Sequence, residues 1–332
     1  MTTNRQIILA EMPRGRLTAA SFQLAEGPIP EPAEGEVLLK ARYISLDAAN
    51  RAWMQGVTYR SALQAGQVMA GGSLAEVVES RAPHLAPGDL VFADIGWQAY
   101  GLQAGEHLGA LPRTAPLSHL LSVYGVTGLT AYFGLLEVGR PKAGETVVVS
   151  AAAGAVGSIV GQIARIKGCR VVGVAGGAEK CAWIRDVLGF DAAVDYKAGD
   201  VRRALRAACP DGVHVYFDNV GGDVFEAALF NMANHGRIVC CGAVSQYDDL
   251  PPPHGPRGVP GLIVTKRLRV EGFVVMDFYA GKDAALAELH GWVESGRLQV
   301  VEDVIEGLEN LPAALIGLLA GENRGKRMVK VD

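Results

Sequence analysis

Two hydrophobic rhythms divide the chain. From Thr146 onward, short apolar runs alternate with stretches whose apolar residues recur every three or four positions. Residues 146–151 form a β-branched run. Val156, Ile159, Val160, Ile163 and Ile166 then share one helical face, closed by Gly168. The same reading predicts strands over 170–175, 191–196, 213–217, 237–241 and 268–275, with helices over 179–188, 201–208 and 224–232. Strands and helices alternating at this spacing predict βαβ units and a parallel sheet. The first third differs: residues 35–41, 74–80 and 90–93 are short strand-like pieces set between Gly and Pro turns. A proline-rich surface loop is expected over 250–260. Residues 298–332 return to strand-like pieces around one short helix at 312–320.

This pattern suggests a nucleotide domain over 122–296, inserted between the two pieces of a β-rich domain, 1–121 and 297–332. A length of 332 residues suits two domains. With 49% hydrophobic and 20% charged residues, the chain is long enough to bury a core without disulfides. Lys and Arg number 31 against 35 Asp and Glu, which argues against a nucleic-acid or membrane-surface partner. The 5 cysteines are odd in number and form no CxxC pair, as expected in a reducing compartment. No basic segment followed by an apolar run opens the chain, so a cytoplasmic protein is expected. The uncharged stretch between Glu145 and Arg165 contains Ser150, Ser158, Gln162 and several glycines, and is better read as strand, turn and helix than as a membrane span.

The strongest chemical signal lies in that stretch. Ala152, Gly154 and Gly157 hold the spacing of a dinucleotide fingerprint, with alanine in its first position, where a strand meets an amphipathic helix. Small residues there let the backbone approach a pyrophosphate, and the helix N-terminus presents free N–H groups and a positive dipole end. The second strand runs out in Val174-Ala175-Gly176-Gly177, with no Asp or Glu to hold a ribose 2′-hydroxyl. Lys180 follows inside the next helix, where its ammonium suits a 2′-phosphate. NADPH is therefore preferred to NADH. A solvated helix face is the plainer reading of Lys180, and Glu179 is an alternative acidic partner. No histidine pairs with Cys or Glu at a ligand-like spacing, so no metal is expected.

These residues carry a family resemblance over nearly the whole chain. Residues 45–54 (SLDAANRAWM), 127–134 (TGLTAYFG), 150–161, 217–222 (FDNVGG), 241–247 (CGAVSQY), 271–275 (EGFVV) and 322–326 (ENRGK) stand in the expected order. The chain resembles the zinc-independent branch of the medium-chain dehydrogenase/reductase superfamily, and within it the NADPH-dependent alkenal/one oxidoreductases. The resemblance implies an α/β fold, with a Rossmann doubly wound parallel sheet inserted into a β-rich GroES-like domain. It also implies a homodimer that reduces the C=C bond of small-molecule α,β-unsaturated ketones or aldehydes by hydride transfer to the β-carbon.

Site roles follow from the same resemblance. Gly154, Ala155 and Val156 would line the pyrophosphate; Gly177, Lys180 and Tyr196 the 2′-phosphate end. Thr127, Asn219, Cys241, Ser245, Tyr247, Phe273, Val275 and Asn323 would contact the rest of the cofactor. Many relatives have a tyrosine where this chain has Ala49, and another where it has Thr265. Tyr59 remains as the expected donor to the developing oxyanion. Arg51 is expected to pair with a carboxylate; Trp53, Trp97 and Tyr100 would wall a pocket or pack a core. A quinone or ketone reductase on the same scaffold, or a silent NADPH-binding protein, are the alternative readings.

Overall fold

The β-branched runs of the middle of the chain lie side by side. Six strands form one sheet in the order Ala192–Asp195, Arg170–Ala175, Thr146–Ser150, Val213–Asp218, Met232–Cys240 and Arg269–Gly272. All neighbours are parallel. This computed structural model describes residues 3–56, 58, 60–114, 116–248 and 255–331. A parallel sheet covered by helices on both faces needs strands that are apolar on both sides. Thr146–Ser150 is accordingly buried at every position. The intervening helices are Ala155–Ile166, Ala178–Asp186, Val201–Ala208 and Gly222–Asn231. The third is capped by Asp200, whose carboxylate accepts from the Arg203 N–H at 3.0 Å.

Read along the chain, the strand order reverses between Thr146–Ser150 and Val213–Asp218, which pair with Val147 opposite Val215 and Val149 opposite Phe217. Ligands of doubly wound sheets bind outside the carboxyl ends of the strands at such a reversal. An ion pair clamps the opposite end. Arg237 meets Glu145 through two bonds of 2.9 and 2.6 Å, and its Nε donates to the Gly139 carbonyl at 2.9 Å.

Three segments depart from expectation. Strand structure after Leu268 covers only Arg269–Gly272, and Val275 opens the 3₁₀ turn Val275–Gly281 instead of extending a strand. Leu262, Ile263 and Val264, an apolar run that reads equally as an edge strand or an interior strand, lie in the helix Val259–Lys266, started by Pro260 in its first turn and a left-handed Gly258. The helix Lys282–Glu294 was not anticipated, although Ala285, Leu289 and Trp292 fall on one face at helical spacing and are buried. Of the proline loop expected over 250–260, residues 250–254 lie outside the described residues, and Val259 and Pro260 already belong to the helix Val259–Lys266.

The residues group into two compact units: the described residues of Met1–Leu121, Glu302–Glu322 and Arg327–Asp332 form one, and those of Ser122–Val301 with Asn323–Lys326 the other. The sheet above belongs to the second. The first is built on an antiparallel sheet whose central strand, Glu36–Ser45, pairs with Ser73–Ser80, Tyr100–Ala104 and Lys326–Lys330. Its core contains Val37, Leu39, Ile44 and Trp97 from the early strands and loops, together with Leu311 and Leu315 of the late helix Leu311–Leu319. Trp97 is fully buried and stacks on Phe22, a core role. Trp53 is buried beneath the Arg60 guanidinium, and Tyr100 is half-buried at the start of its strand. Arg51 is buried and donates to the Gly15 carbonyl at 2.8 Å.

Candidate functional site

The first strand of the parallel sheet ends at Ser150, and Ala151 turns the chain in a left-handed conformation with φ 48°. Its carbonyl accepts from the Gly154 N–H at 2.9 Å. A Cβ on Gly157 would stand 2.3 Å from that same oxygen, so only glycine lets the helix start this close to the turn. The first helical bond runs from the Ser158 N–H to the Gly154 carbonyl at 3.0 Å. The N–H groups of Ala155, Val156 and Gly157 therefore point out of the helix N-terminus with no intrahelical acceptor. Gly154 caps the helix without a side chain to cover them.

A distant segment lies across this turn. The Gly325 N–H donates to the Ala153 carbonyl at 2.8 Å, and Gly325 bridges to Gly154. Asn323 is buried and donates through its amide to the Gly325 carbonyl at 2.8 Å. The Lys180 ammonium donates to the Asn323 carbonyl at 2.5 Å. Arg324 pairs with Glu179. The structure thus brings Gly154, Ala155, Val156, Lys180 and Asn323 together.

At the end of the second strand, Gly177 has φ 94°. The Tyr196 ring covers Gly176, where a Cβ would be 2.8 Å from the ring. One expectation needs correction here. A carboxylate does reach this corner, from the neighbouring strand: Asp195 Oδ1 accepts the N–H groups of Gly177 at 2.8 Å and Lys197 at 2.9 Å. The sequence signal was a charged residue ending an apolar run, followed by Tyr196 and Lys197.

At the reversal point the organising group is Asp218, another residue the sequence reading passed over. It is buried, and its Oδ1 accepts from Tyr216 Oη at 2.6 Å, Ser150 Oγ at 3.0 Å and the Val220 N–H at 3.0 Å, while both oxygens meet the Gly221 N–H at 3.1 Å. A buried carboxylate survives only when so satisfied. Burial and the adjacent Asp218 hold the Tyr216 hydroxyl well above its ordinary range. Asn219 is tied to Ser150 twice, backbone N–H to Oγ at 2.9 Å and Nδ2 to the carbonyl at 2.8 Å. Ser245 Oγ donates to the Val220 carbonyl at 2.6 Å, and Tyr247 Oη accepts from the Ala243 N–H at 3.3 Å. A cavity of about 440 Å³ opens beside this turn, lined by Cys241 and Tyr247 among others. Burial, then Asp218, pushes the Cys241 thiol up to about 12, so it is neutral at ordinary pH.

Three other expected site residues are placed differently. Thr127 is buried in the helix Val126–Phe133, and Val275 is buried at the start of its turn. The Phe273 ring packs edge-on against Phe217, and a Cβ on Gly134 would stand 2.4 Å from it, which leaves its backbone as the part available to a ligand. Tyr59 lies outside the described residues. Ala49 begins a short helix, Ala49–Ala52. Thr265 is exposed, with its hydroxyl donated to the Gly261 carbonyl at 2.9 Å. Among the described residues no group of three or more His, Cys, Asp or Glu is placed to hold a metal ion.

A doubly wound sheet with a glycine turn at its first strand, in a chain that also carries a β-rich unit made from both of its ends, defines a nicotinamide-dependent oxidoreductase of medium-chain type. The comparisons agree. Residues 5–111 match the family described as N-terminal domain of oxidoreductase, and residues 155–291 the one described as zinc-binding dehydrogenase. The NADPH-dependent curcumin reductase of Escherichia coli is 43% identical, over 99% of this chain and 97% of its own. Prostaglandin reductase 1 of Bos taurus is 45% identical, over 95% of each. The crystal structure of CurA in complex with NADPH from Vibrio vulnificus superposes with a TM-score of 0.94 at 41% identity, over 99% of each chain. The chain belongs to the zinc-independent medium-chain dehydrogenase/reductase family.

Proposed function

We propose that the protein is an NADPH-dependent reductase of carbon–carbon double bonds conjugated to a ketone or aldehyde. The observation that carries the reading is the turn at 151–157: three outward N–H groups at a helix N-terminus, with no Cβ at Gly154 to hold a pyrophosphate away and none at Gly157 to push the helix off the turn. The residues present fit such a cofactor, and relatives named NADPH-dependent curcumin reductase and NADP(+)-dependent 2-alkenal reductase support the assignment.

When bound, the cofactor would supply hydride to the β-carbon. The chain's own residues do the rest. Ala155, Val156 and Gly157 would hold the pyrophosphate through backbone N–H groups, and Lys180 and Tyr196 would meet the 2′-phosphate. Asn219, fixed by Ser150, and the turn fixed by Asp218 would orient the nicotinamide half, with Cys241 as a neutral wall. Charge would develop on the carbonyl oxygen as the β-carbon accepts hydride, an O–H donor must meet it there, and a proton from solvent would then reach the α-carbon to complete the reduction. Tyr59 is the proposed donor.

In the proposed division of labour, residues 122–296 bind the cofactor and the β-rich domain of 1–121 and 297–332 faces substrate. A cytoplasmic homodimer is proposed. The edge position of Arg269–Gly272, where Val270 is exposed, supports the pairing of two chains.

The test is NADPH consumption with a simple enone, a quinone and a saturated ketone in parallel. Turnover of the enone alone is expected. Turnover confined to the quinone or ketone, or NADPH binding without turnover of any of the three, contradicts the proposal. Tyr59→Phe should lower kcat/KM on the enone by about 10²-fold and leave NADPH binding unchanged.

A further inference from the structure

The corner that would receive the 2′-phosphate carries charge of both signs. Lys180, Lys197 and Arg324 are the cations; Glu179 and Asp195 are the carboxylates. Asp195 is occupied by the two backbone N–H groups of Gly177 and Lys197. Glu179 is different: its side chain is 86% exposed and sits on the first turn of the helix after the second strand. An acid near the end of that strand favours a ribose 2′-hydroxyl and repels a 2′-phosphate. Its one ion-pair partner among the described residues is Arg324, from a segment more than a hundred residues away. The Arg324 guanidinium also lies 5.7 Å from the centre of the Trp183 ring, one helical turn beyond Glu179. Its neighbours in sequence are fixed independently, by Lys180 on the Asn323 carbonyl and by Gly325 on Ala153.

We propose that Arg324 is a specificity-determining residue for the cofactor's 2′-phosphate, acting as a charge guard on Glu179. Held on Glu179, it cancels the carboxylate that would otherwise oppose the phosphate. A guanidinium suits this role because it stays charged at every working pH and can grip a carboxylate while resting on an aromatic face. The inference rests on the NADPH reading above.

The test is calorimetric titration with 2′,5′-ADP and 5′-AMP, which carry the adenosine corner with and without the 2′-phosphate and need no turnover. The wild type is expected to prefer 2′,5′-ADP. Arg324→Leu should weaken 2′,5′-ADP roughly fivefold, leave 5′-AMP unchanged, and lose more of its affinity at low salt than at high. Arg324→Lys should keep the preference, and adding Glu179→Gln to Arg324→Leu should restore it. Equal weakening of both nucleotides would make Arg324 a structural strap and overturn the proposal. So would a double variant as weak as Arg324→Leu, which would place Arg324 on the phosphate itself. A wild type that binds both nucleotides alike would remove the NADPH reading and this proposal with it.

Discussion

Ala151 is one of four non-glycine residues with positive φ among the described residues, at a cost of roughly 1–2 kcal/mol for a side chain in that region. The strained turn aims its carbonyl at Gly154 and Gly157, and the glycines answer by having nothing to collide with it. This half of the site is legible from sequence because it demands the absence of side chains, and absence is written in the residue names. Lys180 is legible in the same local way, and its ammonium is also bound to the Asn323 carbonyl. Lys180→Ala should therefore weaken NADPH at least about tenfold more than NADH in a binding titration, the scale of one charge-assisted hydrogen bond. Equal losses would assign Lys180 to holding the 323–326 segment alone. Asp195 and Asp218 are harder to read. Each ends an apolar run, but what its carboxylate does depends on which strand end or turn lies alongside, and strand order decides that.

At the scale of elements, the strands and helices of the parallel sheet follow from period and from β-branched runs. Their ends are less legible, because ends are set by partners: Arg269–Gly272 stops where its pairing with Arg237–Cys240 stops. The clamp between Glu145 and Arg237 shows how such partners hold the sheet. Burial alone would raise the Glu145 carboxyl, but the Arg237 hydrogen bonds and the Lys142 N–H outweigh it and hold the group below its usual 4.5. A carboxyl depressed in the folded state contributes its full stability above its unfolded value and loses it as pH falls through the lower folded value. Thermal melts should show stability declining below about pH 4.5 with a shallower slope in Glu145→Gln. Arg237→Met, which strands the carboxylate, should cost about 2 kcal/mol at pH 7, between the exposed and fully buried limits for a pair. A variant that melts like the wild type at both pH values would assign the clamp no weight.

For the whole molecule, the change of rhythm near Thr146 suggests the division into two units, but the fold-back of Asn323–Lys326 onto the glycine turn has no such local signal and is implied only by the resemblance, through Asn323. That contact joins residues about 170 apart, and no local pattern announces it. The sheet's outer strand is a feature of the same scale. If two chains pair there, sedimentation equilibrium should give twice the mass of one chain, and Val270→Lys should shift it toward the single chain; a wild type that sediments as one chain would contradict the pairing. The central claim is that the 151–157 turn grips a 2′-phosphorylated nicotinamide cofactor. A crystal structure of the protein soaked with NADPH tests it most directly. The pyrophosphate oxygens should lie within hydrogen-bonding distance of the N–H groups of Ala155, Val156 and Gly157, with the 2′-phosphate beside Lys180. Cofactor density elsewhere on the molecule, with nothing at that helix N-terminus, would contradict the account.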